Sequence, residues 1–217
     1  AQLYYDQGEC CEKRLAQAAK ALKAYDKAYK LAPQDKYFDS LVRVARGSGN
    51  WEKMLHAMDA QLQLLQSSGA KSALLLEMAD CLYRQLGDRE QATELLQYAL
   101  KIDPNNDKVG QELAHIYLDQ QEWQALVDLY QQLCQRTTAR DKKIGYLVNC
   151  AEICEEKLQY FPRAIEFYRQ VVELDPANFS ALNSLYALYS ATEEWDSVIT
   201  VMEMQLERLQ QPDAKIK

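Results

Sequence analysis

Three times along the chain a small residue opens a helical stripe of apolar positions, at Ala21, Ala92 and Ala164. Seven residues later, two helical turns on, an apolar residue returns at Ala28, Ala99 and Val171. Upstream of each stripe stands another small residue: Gly8, Ala79 and Ala151. Each stripe closes on a similar phrase, "AYKLAPQD", "ALKIDPNN" or "VVELDPAN", whose prolines Pro33, Pro104 and Pro176 lie 71 and 72 residues apart. Between these phrases run "GSGNW", "QQEW" and "TEEW". Their tryptophans, Trp51, Trp123 and Trp195, are the only ones in the chain and are spaced 72 and 72 residues apart. The pattern is a unit of about 72 residues present three times.

Each unit splits into two helix pairs. In the middle copy the spacing predicts a helix over 72–86, a Gly87-Asp88 turn in which Asp88 caps the next helix, and a helix over 89–102. Pro104 disfavours helix at Asp103 and ends that segment. The second half predicts helices over 107–119 and 122–136. Asn50, Glu122 and Glu194 stand at second-helix starts, where an acceptor or negative charge complements the helix dipole. The expected fold is all-α, with about twelve helices and no sheet. Each Trp, in the first turn of a second helix, is expected to wedge into packing rather than serve as a ligand platform. Trp123, in the middle unit, is expected to be the most buried of the three.

These positions resemble the tetratricopeptide repeat family. The likeness is carried by Gly8/Ala79/Ala151, Ala21/Ala92/Ala164, Tyr25/Leu96/Tyr168, Ala28/Ala99/Val171 and Pro33/Pro104/Pro176. The Pro-ended halves carry one extra residue between the first and second small positions. The Trp-containing halves place Met54, Leu126 and Val198 where the family prefers Ala, and they lack the late Pro. The resemblance implies a right-handed superhelical solenoid of antiparallel helix pairs. It also implies one array over 1–217, with repeats at about 1–35, 36–70, 71–106, 107–140, 141–178 and 179–212. The tail "QQPDAKIK" aligns with "TARDKKIG" one unit earlier, as if a fourth unit began there, and the chain starts inside a repeat. The expectation is a segment of a longer protein whose last residues are lightly packed.

Composition narrows the function classes. The chain is 48% hydrophobic and 26% charged, with few Gly and Pro, as an ordered helical protein requires. A net charge of −7 argues against a nucleic-acid partner, and no apolar run approaches the ~20 residues of a membrane span. The six cysteines include no CxxC pair and fall inside helical patterns, so reduced thiols in a cytoplasmic protein are expected. Cys150 and Cys154 could hold half a metal site, but the two histidines lie in other helices, so neither metal nor cofactor is expected. No catalytic motif and no Gly-rich phosphate loop is present, so the chain is not expected to be an enzyme.

Function should then lie on the groove lined by the first helix of each repeat. Taking Gly8, Ala79 and Ala151 as packed places Tyr5, Asp6, Glu9 and Glu12 on the groove face of the first unit. Leu76, Glu77, Asp80 and Tyr83 follow in the second, and Asn149, Glu152 and Glu155 in the third. The Trp-containing halves add Arg43, Arg46, Gln111, His115 and Asn183. The expected function is a protein-interaction scaffold that binds a partner peptide or protein along this groove. The partner should be neutral to basic because the Pro-ended first helices are acidic. The positions where relatives clamp a C-terminal carboxylate are largely Glu and Asp here. The alternative is a structural array that builds complexes through convex or lateral surfaces.

Overall fold

The computed structural model describes residues 1–210, with side chains through 207. The expected light packing of the tail, and the match of Lys215-Ile216 to Lys143-Ile144, lie outside the described residues. Among those residues there are twelve helices and no strand. They form two compact units, Ala1–Leu113 and Ala114–Lys217. The first holds α1 (Gln2–Lys13), α2 (Ala18–Leu31), α3 (Asp35–Gly47), α4 (Trp51–Leu64), α5 (Ser68–Cys81), α6 (Arg89–Ile102) and the start of α7 (Asp107–Gln120). The second holds the rest of α7, α8 (Trp123–Arg136), α9 (Arg140–Glu152), α10 (Phe161–Leu174), α11 (Phe179–Ala191) and α12 (Trp195–Gln210).

Within the first unit each helix from α1 to α6 packs on the next, and within the second each from α8 to α12 does the same. The repeated small residues are the pivots of this packing. Ala21, Ala28, Ala92, Ala99, Ala151, Ala164 and Val171 are all fully buried. A methyl-sized side chain lets neighbouring helices approach closely, so larger residues interdigitate around it. The first unit's core gathers Tyr25, Leu41, Met54 and Met58, and the second's gathers Val127, Phe167 and Leu182. Several helix starts are capped by short side chains, whereas the longer Gln17, Gln34 and Glu122 at the same position make no cap bond. Asn50, Ser67, Asp88 and Asn178 accept from the backbone N–H of Lys53, Ala70, Gln91 and Ala181. The Ser67 cap explains why α5 begins at Ser68, four residues before the expected start.

The extra residue of the Pro-ended halves has a defined place. α5 and α9 each continue directly into a π-helical turn, Leu82–Leu86 and Ile153–Lys157. A π-turn absorbs one additional residue without breaking the helix. The closing bonds show the same insertion. Gln17, Asp88 and Tyr160 donate their N–H to the carbonyls of Cys11, Leu82 and Cys154, six residues back, at 2.8, 3.0 and 2.8 Å. In the Trp-containing halves Asn50, Glu122 and Glu194 donate only five residues back, to Ala45, Tyr117 and Tyr189, at 2.9 Å each.

All six of these turns contain one residue in the left-handed region: Ala16, Gly49, Gly87, Gln121, Gln159 and Glu193. Only two are glycine. A Cβ at that conformation costs roughly 1–2 kcal/mol, partly offset by the greater unfolded-state freedom of glycine. Gln121→Gly (φ 57°) is therefore expected to stabilise the chain by about 0.5–1 kcal/mol in urea unfolding. Gly87→Ala (φ 70°) should cost about 1 kcal/mol through backbone strain alone, because an added Cβ meets nothing within 4 Å.

The tryptophans meet the packing expectation only in part. Trp51 and Trp123 are only half-buried and Trp195 is 60% exposed, so none belongs to the fully buried core. Each is the first residue of its helix, α4, α8 or α12. Side chains tilt toward the helix N-terminus, so a ring at the first position lies at the end of its helix, where neighbours cover it only in part; Trp51 packs in this way against the first unit's core.

Candidate functional site

Position relative to the packed small residue sorts the expected groove residues. On a helix, positions three before and four after a packed residue share its face. Tyr5 and Glu12 bear this relation to Gly8, and both turn toward α2. Tyr5 is buried at 6% exposure, with ring centroids 5.4 Å from Tyr25 and 5.2 Å from Tyr37. It is a core residue and not a groove residue, which corrects the sequence-based assignment. Glu12 accepts the Tyr25 hydroxyl at 2.8 Å and is gripped in bidentate fashion by Arg43 of α3. The Arg43 hydrogen bonds, with support from the Tyr25 hydroxyl, hold its carboxyl below the ordinary range despite burial. Asp6 and Glu9 face outward. Asp6 accepts from Gln2 at 2.7 Å and Glu9 pairs with Lys13 at 2.6 Å.

The same register on α5 builds a groove. Leu76 and Glu77 are half-buried and Asp80 is exposed. With Ala73, Cys81 and Gln85 they form one wall of a cavity of about 510 Å³. Arg46 on α3 with Trp51 and Met54 on α4 form the second wall, and Lys108, Gln111 and Glu112 at the start of α7 form the third. Consecutive first helices thus flank the cleft, and half-buried Trp51 adds apolar surface above the buried Met54. The charges inside are matched. Arg46 pairs with Glu77, and Arg84 pairs with Asp80 and reaches Glu112 at 3.6 Å. Sequence reasoning marked these carboxylates as an acidic surface, and the structure shows arginines already beside them. Lys108, Gln85 and Gln111 have no side-chain partner among the described residues. Tyr83, in the π-turn, is half-buried with the Arg89 guanidinium 5.8 Å from its ring centre. Of the lining residues, Trp51, Met54, Ala73, Cys81, Gln85, Lys108 and Glu112 were not anticipated as groove residues. The register of Trp51 beside the small α5 position Ala73 is visible only once α4 and α5 are paired.

The second unit is more sparsely furnished. His115 is exposed on α7. On α9, Asn149 is half-buried and Glu152 exposed, while Glu155 accepts the Tyr168 hydroxyl at 3.0 Å. Tyr168–Glu155 repeats the Tyr25–Glu12 pair, and the middle copy replaces both members with Leu96 and Tyr83. Burial raises the phenol pKa of Tyr25 and Tyr168. Asn183, expected to bond a ligand backbone, is exposed but offers its Oδ1 to Gln205 of α12 at 2.9 Å.

The six cysteines are free thiols. Cys10 is exposed, Cys134 half-buried, and Cys11, Cys81, Cys150 and Cys154 buried. Burial pushes Cys150 up to about 12 and also raises Cys81, Cys134 and Cys154. An acid whose pKa is higher folded than unfolded keeps its full contribution to stability below the unfolded value, near 9.0 for Cys150, and loses it as pH rises toward 12. The thermal midpoint should therefore fall steadily above pH 9, with Cys150 alone contributing roughly 1.4 kcal/mol per pH unit. At neutral pH an aromatic disulfide reagent should titrate Cys10 fast, Cys134 slowly, and the other four only on unfolding. Rapid labelling of all six in the folded protein would contradict the burial argument. Among the described residues no group of three or more His, Cys, Asp or Glu side chains is placed to hold a metal ion, and no helix is long and apolar enough to cross a membrane.

The tetratricopeptide repeat family is matched at residues 83–133 and again at 146–178. Among solved structures the chain is similar to a TPR repeats protein from Bacteroides fragilis, with 13% identity and a TM-score of 0.63, over 88% of this chain and 98% of that one. It also aligns with the TPR2AB domain of yeast Sti1 in its Hsp90 complex, at 18% identity, over 94% of this chain and 88% of that one, with a TM-score of only 0.38. A third alignment, to YrrB, a TPR protein with an unusual peptide-binding site, has 14% identity, covers 83% and 89% of the two chains, and has a TM-score of 0.44. A search of curated proteins returns no match.

Proposed function

We propose that this chain, which carries matches to the tetratricopeptide repeat family at residues 83–133 and 146–178, is a non-catalytic, cytoplasmic scaffold that binds a partner peptide in the cleft between α3, α5 and α7. The carrying observation is that cleft: about 510 Å³, bounded by first helices of consecutive repeats. Apolar surface from Leu76 and Trp51 lies beside the hydrogen-bonding groups of Gln85, Lys108 and Gln111. An extended peptide needs both kinds of partner, apolar pockets for alternate side chains and polar groups for its backbone. Because Arg46 and Arg84 already neutralise Glu77 and Asp80, the ligand favoured here is near neutral. Long-range attraction of strongly cationic segments is weak at such a balanced surface. Among the described residues, Glu152 on α9 and Glu155 in the π-turn after it have no arginine partner, so a basic segment fits that unit better.

The test is a selection of ten-residue peptides from a displayed library on the folded protein. Recovered peptides should lose at least roughly tenfold in affinity on Leu76→Asp combined with Gln111→Asp. They should keep it on Glu90→Lys with Glu94→Lys, changes on the exposed face of α6. Peptides insensitive to the cleft changes and sensitive only to the α6 pair would remove the groove reading and favour assembly through the convex surface.

A further inference from the structure

The most apolar open surface in the second unit lies on α12. Trp195, Ile199, Met202 and Leu206, spaced at i, i+4, i+7 and i+11, form one stripe and are 60, 56, 52 and 55% exposed. Scattered exposed apolar residues need no explanation, but a continuous stripe along one helix face marks an interaction surface.

The internal repeat shows what such a face accommodates. Seventy-two residues earlier the same positions on α8 are Trp123, Val127, Tyr130 and Cys134. There α9 covers them. Tyr146 stacks on Tyr130 with ring centroids 5.8 Å apart, and the Cys150 thiol donates to the Val127 carbonyl at 3.6 Å. The Cys134 thiol donates to the Lys143 carbonyl at 3.9 Å, and the Lys157 ammonium lies 5.9 Å from the Trp123 ring centre. The contacts run in opposite directions along the two helices, an antiparallel ladder. At its edge Arg163 of α10 reaches Gln131 at 2.9 Å, Gln124 at 3.3 Å and Asp128 at 3.4 Å. On α12 these three positions become Asp196, Thr200 and Glu203. The edge that receives an arginine on α8 is therefore more acidic on α12, with exposed Glu207 one turn further along.

We propose that the open face of α12 is a docking surface for a cationic amphipathic helix of a partner protein. That helix lays apolar residues, spaced as Tyr146 and Cys150 are, over Met202 and Ile199. It brings Lys or Arg to Trp195 and to the Asp196–Glu203 edge. The first helix of a second copy does not supply that chemistry. The α1 positions in the register of Tyr146, Cys150 and Ile153 are Leu3, Gln7 and Cys10, with Asp6 and Glu9 alongside, and the chain carries a net charge of −7. Such a contact would set carboxylates against carboxylates. The inference does not depend on the cleft at α5, since the two surfaces share no residue.

The test uses fluorescently labelled helical peptides and the folded protein. One peptide carries the sequence of residues 140–158, and a second carries the same sequence with Glu152→Lys and Glu156→Lys. Fluorescence anisotropy should show saturable binding of both, the second tighter by about threefold, as one or two exposed ion pairs provide. Ile199→Asp with Met202→Asp should weaken binding at least roughly tenfold. Both residues are more than half exposed, so the helical circular dichroism should be retained. Asp196→Lys with Glu203→Lys, which leaves the apolar stripe intact, should abolish the advantage of the second peptide. Leu76→Asp should change nothing. Three outcomes would overturn the proposal: no saturable binding, binding indifferent to the α12 variants, or concentration-dependent self-association that the Ile199→Asp pair abolishes. The last would assign the face to a second copy.

Discussion

Gly8→Ala is expected to destabilise the chain by about 1–3 kcal/mol, the reverse of what the same change does at an exposed helical site, where it typically adds about 1 kcal/mol. A Cβ on Gly8 would lie 2.5 Å from Tyr25 Cε1 and 2.6 Å from Cδ1. The ring cannot retreat. Tyr25 is fully buried, Tyr5 packs on it, and its hydroxyl is held by Glu12, which Arg43 holds in turn. Displacing the ring would therefore disturb a chain of contacts that joins α1, α2 and α3. The middle unit suggests the remedy, because there the small residue is Ala79 and the facing residue is Leu96. Gly8→Ala combined with Tyr25→Leu should lose less than the sum of the two single changes, by about 1 kcal/mol or more. Urea unfolding of the four proteins measures this coupling. Strict additivity would show that the ring does not limit the size of residue 8.

The number of helices, their type and most of their ends were legible because they rest on local chemistry. Prolines one to three residues past a stripe, and acceptors just before one, mark boundaries without reference to tertiary structure. α6 runs Arg89–Ile102, as Asp88 and Pro104 dictate. The left-handed turn residues were half legible. Gly87 announces itself, whereas Ala16, Gln121, Gln159 and Glu193 adopt the same conformation with no compositional mark. The π-turns were visible only as one surplus residue, with no indication of where it would be absorbed. The groove was read less well, for a reason visible in α1. Once Gly8 is taken as packed, Tyr5 and Glu12 share its face, and only Asp6 and Glu9 point away. The ion pairs were out of reach. Arg43 and Glu12 are 31 residues apart, as are Arg46 and Glu77, and neither separation has a helical period. They meet because first helices of successive repeats lie side by side.

Burial rather than rarity should rank the aromatic residues in stability, which inverts the order suggested by the spaced tryptophans. Phe167→Ala is expected to cost about 3–5 kcal/mol, since the ring is 2% exposed at the centre of the second unit's core. Trp195→Ala should change stability by less than about 0.5 kcal/mol, because the side chain is 60% exposed and contributes surface rather than core. Trp123→Ala falls between them, at about 1–2 kcal/mol. Its ring is half-buried and gains ~0.5–1 kcal/mol from the Lys157 ammonium 5.9 Å from its centre. The regular spacing of the tryptophans then has a simpler origin than a shared burial role: each is the first residue of the second helix in its pair, and that position recurs every 72 residues. Chemical unfolding of the three alanine variants under one set of conditions checks the order. A loss of 3 kcal/mol or more for Trp195→Ala would mean that α12's open stripe is already covered in the isolated chain, and would place the tryptophans back among the packing residues.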